Sequence, residues 1–269
     1  YGFLAQAPNK PLSLWAGWMQ IEEQFDPALG FVRRRNTEFI YGEGFYEIQP
    51  RNRTVIDNYD LGLEWTRFNR LSDGAIESDI ATAVAEVDLR SGDEIGVRGR
   101  TSREVLFEPF DIIDTVTIDK GDYRFEQVGA YFESSSNWPV IFEIGAWHGN
   151  YYDGDRTSAE VEASIRVSRY WQIDLETEWA DIVLPGGDFD VLVNALNLRL
   201  TPNRRLSWNT LVQYDNLSNQ VGVNSRVRYI LNPGSDVFVV YNRGFDVEDG
   251  RFRTFSTEAT TKLGWTFRF

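Results

Sequence analysis

Carboxylates alternate along two neighbouring stretches of this sequence. The first stretch carries Glu160 and Glu162, and the second carries Asp174, Glu176 and Glu178. Two carboxyl groups about 5 to 10 Å apart can perform glycosidase or other acid–base chemistry, and adjacent strands could place Glu162 and Glu176 near that range. Any polar wall of strands offers such spacing, however. We therefore predict no catalytic residue, and an enzyme in the wall is the third interpretation.

Basic residues occupy other segments with the same two-residue alternation. They are Arg98, Arg100, Arg226, Arg228, Lys262 and Arg268. Acidic and basic walls facing one water-filled space would create a transverse field, which orients polar solutes in channels. The alternative is that these charges pair across the space and fill it. Both interpretations stay open at the level of sequence.

Three further features could bind ions or substrates. His148, the only histidine, continues an apolar alternation from Val140 to Ala146, which indicates an interfacial residue rather than a catalytic one. Residues 150–155 have carboxylates at a spacing that suits calcium, but the Glu that closes an EF-hand loop is absent. Residues 186–188 have the composition of a turn. We predict neither a metal nor a cofactor.

The elements that position these side chains are predicted to be β-strands. Apolar residues alternate with charged ones from Ala159 to Val167 and again from Trp171 to Trp179, which indicates a hairpin with a tight turn. The same period of two continues along the chain and predicts about fourteen strands, with twelve or sixteen as alternatives. Their expected cores are 12–21, 37–49, 57–68, 77–89, 94–107, 122–134, 139–149, 156–167, 170–181, 189–200, 205–215, 220–231, 235–243 and 254–269.

The last of these strands has two chemically different faces. Leu263, Trp265, Phe267 and Phe269 lie on one face, opposite the face of Lys262 and Arg268. This pattern suits a wall with hydrocarbon outside and a polar interior. The strand looks like the carboxy-terminal assembly signal of bacterial outer-membrane barrels, which implies the barrel assembly machinery as a partner. The alternative is an amphipathic strand that closes a soluble sandwich.

Connection lengths predict a direction for the strands. Outer-membrane barrels have short periplasmic turns and longer external loops. If the last strand runs inward, the expected periplasmic turns are 50–53, 90–93, 135–138, 168–169, 201–204 and 232–234. The expected external loops include 22–35, 110–121, 150–156, 182–188 and 244–253. This sorting predicts that both termini lie in the periplasm.

Composition permits a barrel and excludes several other classes. No apolar run approaches the roughly 20 residues of a membrane-spanning helix. The 14% of aromatic residues suits interfacial girdles. The formal net charge of -14 argues against a nucleic-acid partner, and the lack of Cys excludes disulfides and thiolate sites. The first residues lack the pattern of an export signal, so we expect a mature or truncated form.

Three segments resemble one bacterial family. The first external loop of the family is similar to Phe25-Asp26-Pro27-Ala28-Leu29-Gly30-Phe31-Val32-Arg33-Arg34. A second motif of the family is similar to Phe107-Glu108-Pro109-Phe110 followed by Gly121-Asp122-Tyr123-Arg124-Phe125. A third motif is similar to residues 232–242. The family is uncharacterised. Its full-length members carry a β-sandwich similar to carbohydrate-binding-module family 9 ahead of a carboxy-terminal outer-membrane barrel. The resemblance implies a periplasmic or surface carbohydrate-binding partner domain, which we expect to lie outside these 269 residues. It implies no established reaction.

The sequence therefore predicts one all-β domain over 1–269, with 1–11 as a periplasmic lead-in. We expect a transmembrane antiparallel up-and-down barrel in the outer membrane of a Gram-negative bacterium, in contact with its lipid. The expected role is a membrane anchor and porin-like polar passage, with saccharides as candidate solutes. The alternative is an occluded barrel that serves as a scaffold or assembly partner for another envelope protein.

Overall fold

The computed structural model describes residues 2–27, 30, 32, 34–52, 54–248 and 250–266, and all of its regular elements are β-strands. In this part of the chain, no helix has the length and apolar character needed to cross a membrane. The strands are β1 Gly2–Pro8, β2 Leu12–Ile21, β3 Thr37–Ile48, β4 Ile56–Arg70, β5 Ile76–Leu89, β6 Glu94–Leu106, β7 Phe110–Ile113, β8 Val116–Ile118, β9 Gly121–Glu133, β10 Val140–Tyr151, β11 Gly154–Ile165, β12 Trp171–Leu184, β13 Gly187–Leu200, β14 Leu206–Asp215, β15 Gln220–Asn232, β16 Ser235–Glu248 and β17 Arg251–Gly264.

Fifteen strands form one sheet in chain order, from β1 to β6 and then from β9 to β17, and β7 pairs with β8 in a separate two-stranded sheet. Each of the fourteen predicted strands overlaps one strand of the large sheet, so their positions are confirmed. The count of about fourteen is wrong, because β1 adds a fifteenth strand to the sheet and the β7–β8 hairpin adds two more outside it.

The predicted lead-in of residues 1–11 is one of the corrected elements. Residues 2–8 pair with β2 along their whole length, from Gly2 opposite Met19 to Pro8 opposite Ser13. Gly2 therefore lies beside the end of β2 that leads into the connection 22–36. The segment is therefore a strand of the sheet, and its periplasmic position stays a prediction. Backbone pairing extends to Pro8, although a proline at the end of this segment disfavours a strand.

The sorting of long and short connections is a second correction. Three segments predicted as external loops are mostly strand, since β10 runs to Tyr151 and β11 starts at Gly154, β12 runs to Leu184 and β13 starts at Gly187, and β16 runs to Glu248 and β17 starts at Arg251. Polar and Gly-containing hairpin ends continue the sheet because their backbones pair across tight turns. The predicted turns at 90–93 and 201–204 do lie between strands, and the turn predicted at 232–234 starts on the last residue of β15.

Among the described residues, the sheet is not observed to close into a barrel. The hydrogen-bonded order begins at β1 and ends at β17, and no pairing between these two strands occurs among the described residues. The chain divides into two compact units. The first comprises Tyr1–Phe132, Ala146–Thr157 and Ile182–Phe189, and the second comprises Glu133–Gly145, Ser158–Asp181 and Asp190–Phe269.

Little apolar side-chain surface is buried in either unit. Among the described residues, the buried apolar side chains of the first unit are Val84, Val116, Ile118, Tyr123, Phe125, Ile182 and Leu184. In the second unit, Ala180 is the buried apolar residue among those described. The strands are therefore held mainly by their backbone ladders and cross-strand side-chain pairs rather than by a central core.

Candidate functional site

One face of the strands in the first unit is apolar and open. The register aligns Leu63 of β4 with Gly44 of β3 and with Ala83 of β5. Leu63 is 69% exposed and Val97, on the same face of β6, is 55% exposed. Because alternate residues of a strand point to opposite faces, this row is the apolar half of the predicted alternation. No layer of the described residues covers it.

The second unit presents the same kind of face. Its exposed large apolar side chains follow the alternation of β12 and of β14 to β17, and they include Trp171, Leu175, Trp179, Trp208, Tyr229, Val239 and Leu263. Leu263 lies opposite Val237, and Trp208 lies opposite Val227. Soluble monomers rarely expose contiguous apolar patches of more than a few hundred Å². A face of this composition on strand after strand indicates an apolar environment.

Charged side chains border the apolar face of the first unit. Arg67 of β4 is paired with Asp79 of β5, which also accepts a hydrogen bond from Trp65 Nε1 at 2.7 Å. On the neighbouring strands, Arg103 donates two hydrogen bonds to Asp122, at 2.8 and 2.6 Å. These pairs lie near the strand ends that lead into the connections 71–75 and 107–120. Apolar rows bordered by a Trp and by ion pairs are typical of a membrane-facing band.

The opposite face of the second unit contains a pocket lined by carboxylates. Its volume is about 360 Å³, and its polar lining includes Glu133, Glu143, Glu162, Ser164, Asp174, Glu176, Asn197 and Arg199. Thus three of the predicted polar-face residues, Glu162, Asp174 and Glu176, do come together. The sequence analysis missed Arg199, which lies among them. The only sequence feature that could have identified Arg199 is its position among the polar residues that alternate along β13.

Asp174 is the most constrained carboxylate of this pocket. Arg199 donates to it from Nε at 3.0 Å and from Nη2 at 2.5 Å, and Ser164 Oγ and Gln172 Nε2 each donate at 2.8 Å. Arg199 therefore compensates one carboxylate of the group. Glu160 lies elsewhere on this face, against Gly145, where an added Cβ would lie 2.7 Å from Glu160 Oε1. Glu178 is exposed.

The predicted basic residues of the second unit lie on β15 and β17. Arg226 and Arg228 are placed over the ring of Phe238, at 4.6 and 5.2 Å from its centroid. Arg228 also donates to Asp236 at 3.0 and 2.6 Å. Lys262 lies opposite Phe238 in the β16–β17 ladder. Arg268, Phe267 and Phe269 lie outside the described residues.

Arg98 and Arg100, predicted on the polar face, each lie over an aromatic ring of the first unit. The Arg98 guanidinium is 4.2 Å from the centroid of Tyr131, and that of Arg100 is 4.4 Å from the centroid of Trp147. Arg98 Nη2 is also 3.4 Å from Glu86 Oε1. The sequence analysis did not select the two rings. For Trp147, the sequence feature that could have identified it is the alternation that assigns it to the face opposite His148.

The β7–β8 hairpin builds an aromatic cluster in the first unit. The Tyr152 ring lies 5.8 Å from Phe110, 5.0 Å from Tyr123 and 5.1 Å from Phe125, between ring centroids. Val116 is 3% exposed, and its Cγ1 would lie 3.3 Å from a Cβ added at Gly186. Burial raises the pKa of Tyr152, which lies in the β10–β11 turn. The segment predicted as an external loop therefore contains a hairpin with two buried side chains, Val116 and Ile118.

The remaining candidate sites are structurally ordinary. His148 is exposed on the apolar face, and its Nδ1 lies 2.9 Å from Thr157 Oγ1. Asn150 Nδ2 donates to Asp155 Oδ1 at 3.3 Å across the β10–β11 turn. Among the residues described by the structure, no group of three or more His, Cys, Asp or Glu is arranged to hold a metal ion.

No family model matches the chain, and no curated protein matches its sequence. Among solved structures, a mutant of the ferric enterobactin receptor from Pseudomonas aeruginosa is 11% identical, with a TM-score of 0.47 over 91% of this chain. This chain spans about half, 50%, of that receptor chain. A structure described under asymmetric conductivity of engineered proteins is 9% identical, with a TM-score of 0.31 over 98% of this chain and 100% of the other.

Proposed function

We propose that this chain forms a β-barrel in the outer membrane of a Gram-negative bacterium and acts there as a membrane anchor and polar passage. One observation carries the proposal, namely the exposed apolar face that runs from strand to strand in both units. In water such a face would drive association, whereas hydrocarbon would cover it at no cost. Because a bilayer tolerates no open sheet edge, the proposal includes closure of the sheet into a barrel.

The polar face supports the passage part of the proposal. It offers carboxylates in the second unit and arginines stacked on aromatic rings in the first. A pore lined in this way selects solutes by charge and by hydrogen bonding. The carboxylates around Glu162 and Glu176 favour cations and polar uncharged solutes. Saccharides remain the candidate class only through the resemblance to a family with a carbohydrate-binding domain.

The β7–β8 hairpin favours a second candidate, an occluded barrel that serves as a scaffold. The hairpin follows β6, and its side chains Val116 and Ile118 are buried. A segment held by buried apolar contacts stays closed more of the time than a solvated loop. In an occluded barrel the same apolar outer face would hold the protein, and any partner bound to it, in the membrane. No solute would pass along the polar face.

Planar-bilayer recordings separate the two candidates. Purified protein that migrates as a compact, heat-sensitive species in electrophoresis is inserted into a bilayer, and ion current is recorded. An open polar passage should give stepwise conductance. If correctly folded, inserted protein gives none, the passage proposal is refuted. A variant with residues 110–118 replaced by a Gly-Ser linker identifies occlusion, because current that occurs only in this variant assigns the hairpin as the plug.

A further inference from the structure

Two arginines of the first unit form no ion pair with any residue that the structure describes. Arg100 of β6 and Arg156 of β11 have neither an ion pair nor a hydrogen bond within the described part of the chain. In both, and in neighbouring Arg98, the Nε atom is buried and has no hydrogen-bond partner there. A chain with 41 acidic residues against 27 basic ones has carboxylates in excess. Arg100 and Arg156 nevertheless form no ion pair among the described residues, and the one carboxylate whose charge acts on Arg100 there is that of Glu64.

Aromatic rings hold the three arginines in place. Arg98, Arg100 and Arg156 lie over Tyr131, Trp147 and Tyr151, at 4.2, 4.4 and 5.7 Å from the ring centroids. A cation over an aromatic face gains about 0.5 to 2 kcal/mol, and the planar guanidinium is oriented by the stack. The arginines are thus positioned before any ligand arrives.

The backbone of the neighbouring strands is shaped for these stacks. A Cβ added at Gly129 of β9 would lie 2.5 Å from the Trp147 ring, and one added at Gly96 of β6 would overlap the Tyr131 ring. Glycine at both positions lets the rings lie flat across the sheet. Tyr131 Oη also donates to Glu94 at 2.5 Å, which fixes the ring beneath Arg98. Four adjacent strands, β6, β9, β10 and β11, contribute to this arrangement, which we call the arginine cluster (Arg98, Arg100 and Arg156).

Like charges in the arginine cluster oppose one another. Arg98 and Arg156 are both close enough to Arg100 for their charges to interact with it, and Glu64 provides the opposing charge. Glu86 provides the direct partner of Arg98. Clustered cations at low local dielectric are costly until an anion joins them. The Arg98 side chain is 39% exposed, so the cluster can be reached from solvent.

We propose that the arginine cluster binds the oxyanion group, phosphate, sulfate or carboxylate, of a small solute. Guanidinium groups form charge-assisted, often bidentate hydrogen bonds with such groups, which a Lys would not reproduce. The cluster lies on the face opposite the exposed apolar rows, so a dissolved solute rather than a lipid headgroup is the ligand. This inference rests on the proposed function only for the source of that solute, because binding requires no conduction.

Binding of inorganic phosphate to the full chain in non-ionic detergent micelles tests the proposal. We expect saturable binding by isothermal titration calorimetry, accompanied by a change in Trp fluorescence that Trp147→Phe reduces. Arg100→Gln and Arg156→Gln should each weaken binding by about tenfold or more, as expected for loss of a charge-assisted hydrogen bond. The matched control is Arg226→Gln, which removes an arginine stacked on Phe238 in the second unit and should change the affinity less than about twofold.

Three results would overturn the proposal. They are an absence of saturable phosphate binding by the folded wild-type protein, equal losses in Arg226→Gln and Arg100→Gln, and competition by micellar phosphatidylglycerol, which would assign a lipid headgroup instead. Circular dichroism and heat-sensitive electrophoretic mobility check the folding of each variant. Should a variant fail to fold, competition between sulfate and phosphate in the wild-type protein decides, because a shared oxyanion site requires it. If phosphate binds but no bilayer current is recorded, the proposed passage is refuted and the proposed oxyanion site stands.

Discussion

Substitution of Leu63 by arginine distinguishes a lipid-facing wall from a solvated sheet. Leu63 is 69% exposed, so its replacement leaves no cavity and breaks no buried contact. In a solvated sheet such a surface change costs at most about 0.5 kcal/mol. At the middle of a bilayer, arginine on the lipid face of a barrel costs about 2 to 4 kcal/mol. The two environments therefore predict clearly different losses.

The position of Leu63 along its strand justifies the larger value. Tyr59 and Arg67 lie on the same face of β4, and Leu63 is midway between them. At about 3.3 Å per residue the strand advances about 26 Å from Tyr59 to Arg67, or about 20 Å across a membrane at a tilt of about 40°. This span matches an apolar band of about 25 Å. Leu63 is therefore expected near the midplane, with the Arg67–Asp79 pair at the border.

Reversible denaturant titration in phospholipid vesicles measures the effect. Leu63→Arg should lower the free energy of unfolding by about 2 to 4 kcal/mol, about a 30- to 700-fold change in the equilibrium constant. The control is Asn224→Arg. Asn224 is exposed on the polar face of β15 opposite Asn242, where an added arginine should cost less than about 1 kcal/mol. Equal, small losses for both variants would refute the assignment of the apolar face to lipid.

Three other perturbations have defined outcomes. The double substitution Glu162→Gln and Glu176→Gln should shift the reversal potential of the bilayer current toward the value for anion selectivity, because it removes two negative charges from the pocket wall. Val116→Asp should release the β7–β8 hairpin to limited proteolysis, because an unpaired charge at a position 3% exposed costs about 3 kcal/mol or more. In the β4–β5 turn, hydrogen bonds from Arg70 and from the Ala75 amide lower the pKa of Asp73 to about 2. The stabilisation by this carboxylate should be complete above pH about 4 and lost as the pH falls toward 2, which carboxyl NMR titration measures.

Each of these has its own control. Glu23→Gln, in the exposed connection after β2, should leave the reversal potential unchanged, and an equal shift would remove the role of the pocket. Thr115→Asp, at an exposed position of the same hairpin, should leave the hairpin resistant. Arg70→Gln should return the Asp73 midpoint toward the ordinary range for Asp. A midpoint near 2 in that variant would contradict the assigned cause.

The strand pattern was accessible from sequence because it is local. Alternation from Trp171 to Trp179 specifies a strand with two different faces whatever its neighbours are. The hairpin ends at 150–156 and 182–188 were misread because Gly and Asp there favour loops, whereas in the structure they form tight turns between long strands. Residues 2–8 were missed since their strand exists only through pairing with β2.

The candidate sites were predictable only in part. The polar face gave Glu162, Asp174 and Glu176 from the period of two, and the structure brings them into one pocket. The partner Arg199 is 25 residues from Asp174 in sequence, so only the register of the strands joins them. Likewise, the alternation could assign Trp147 to the polar face but could not place it under Arg100.

The sequence by itself determined that the chain is built of strands with one apolar and one polar face, because side chains of a strand alternate with a fixed period. Only the tertiary structure decided which side chains meet across strands and that residues 110–118 form a hairpin with Val116 and Ile118 buried. It also decided that Arg100 and Arg156 lie on aromatic rings and form no ion pair with any described residue. These features depend on strand order, on register and on glycines such as Gly96 and Gly129 that admit a ring. Such contacts join residues far apart in the chain, so no local period encodes them.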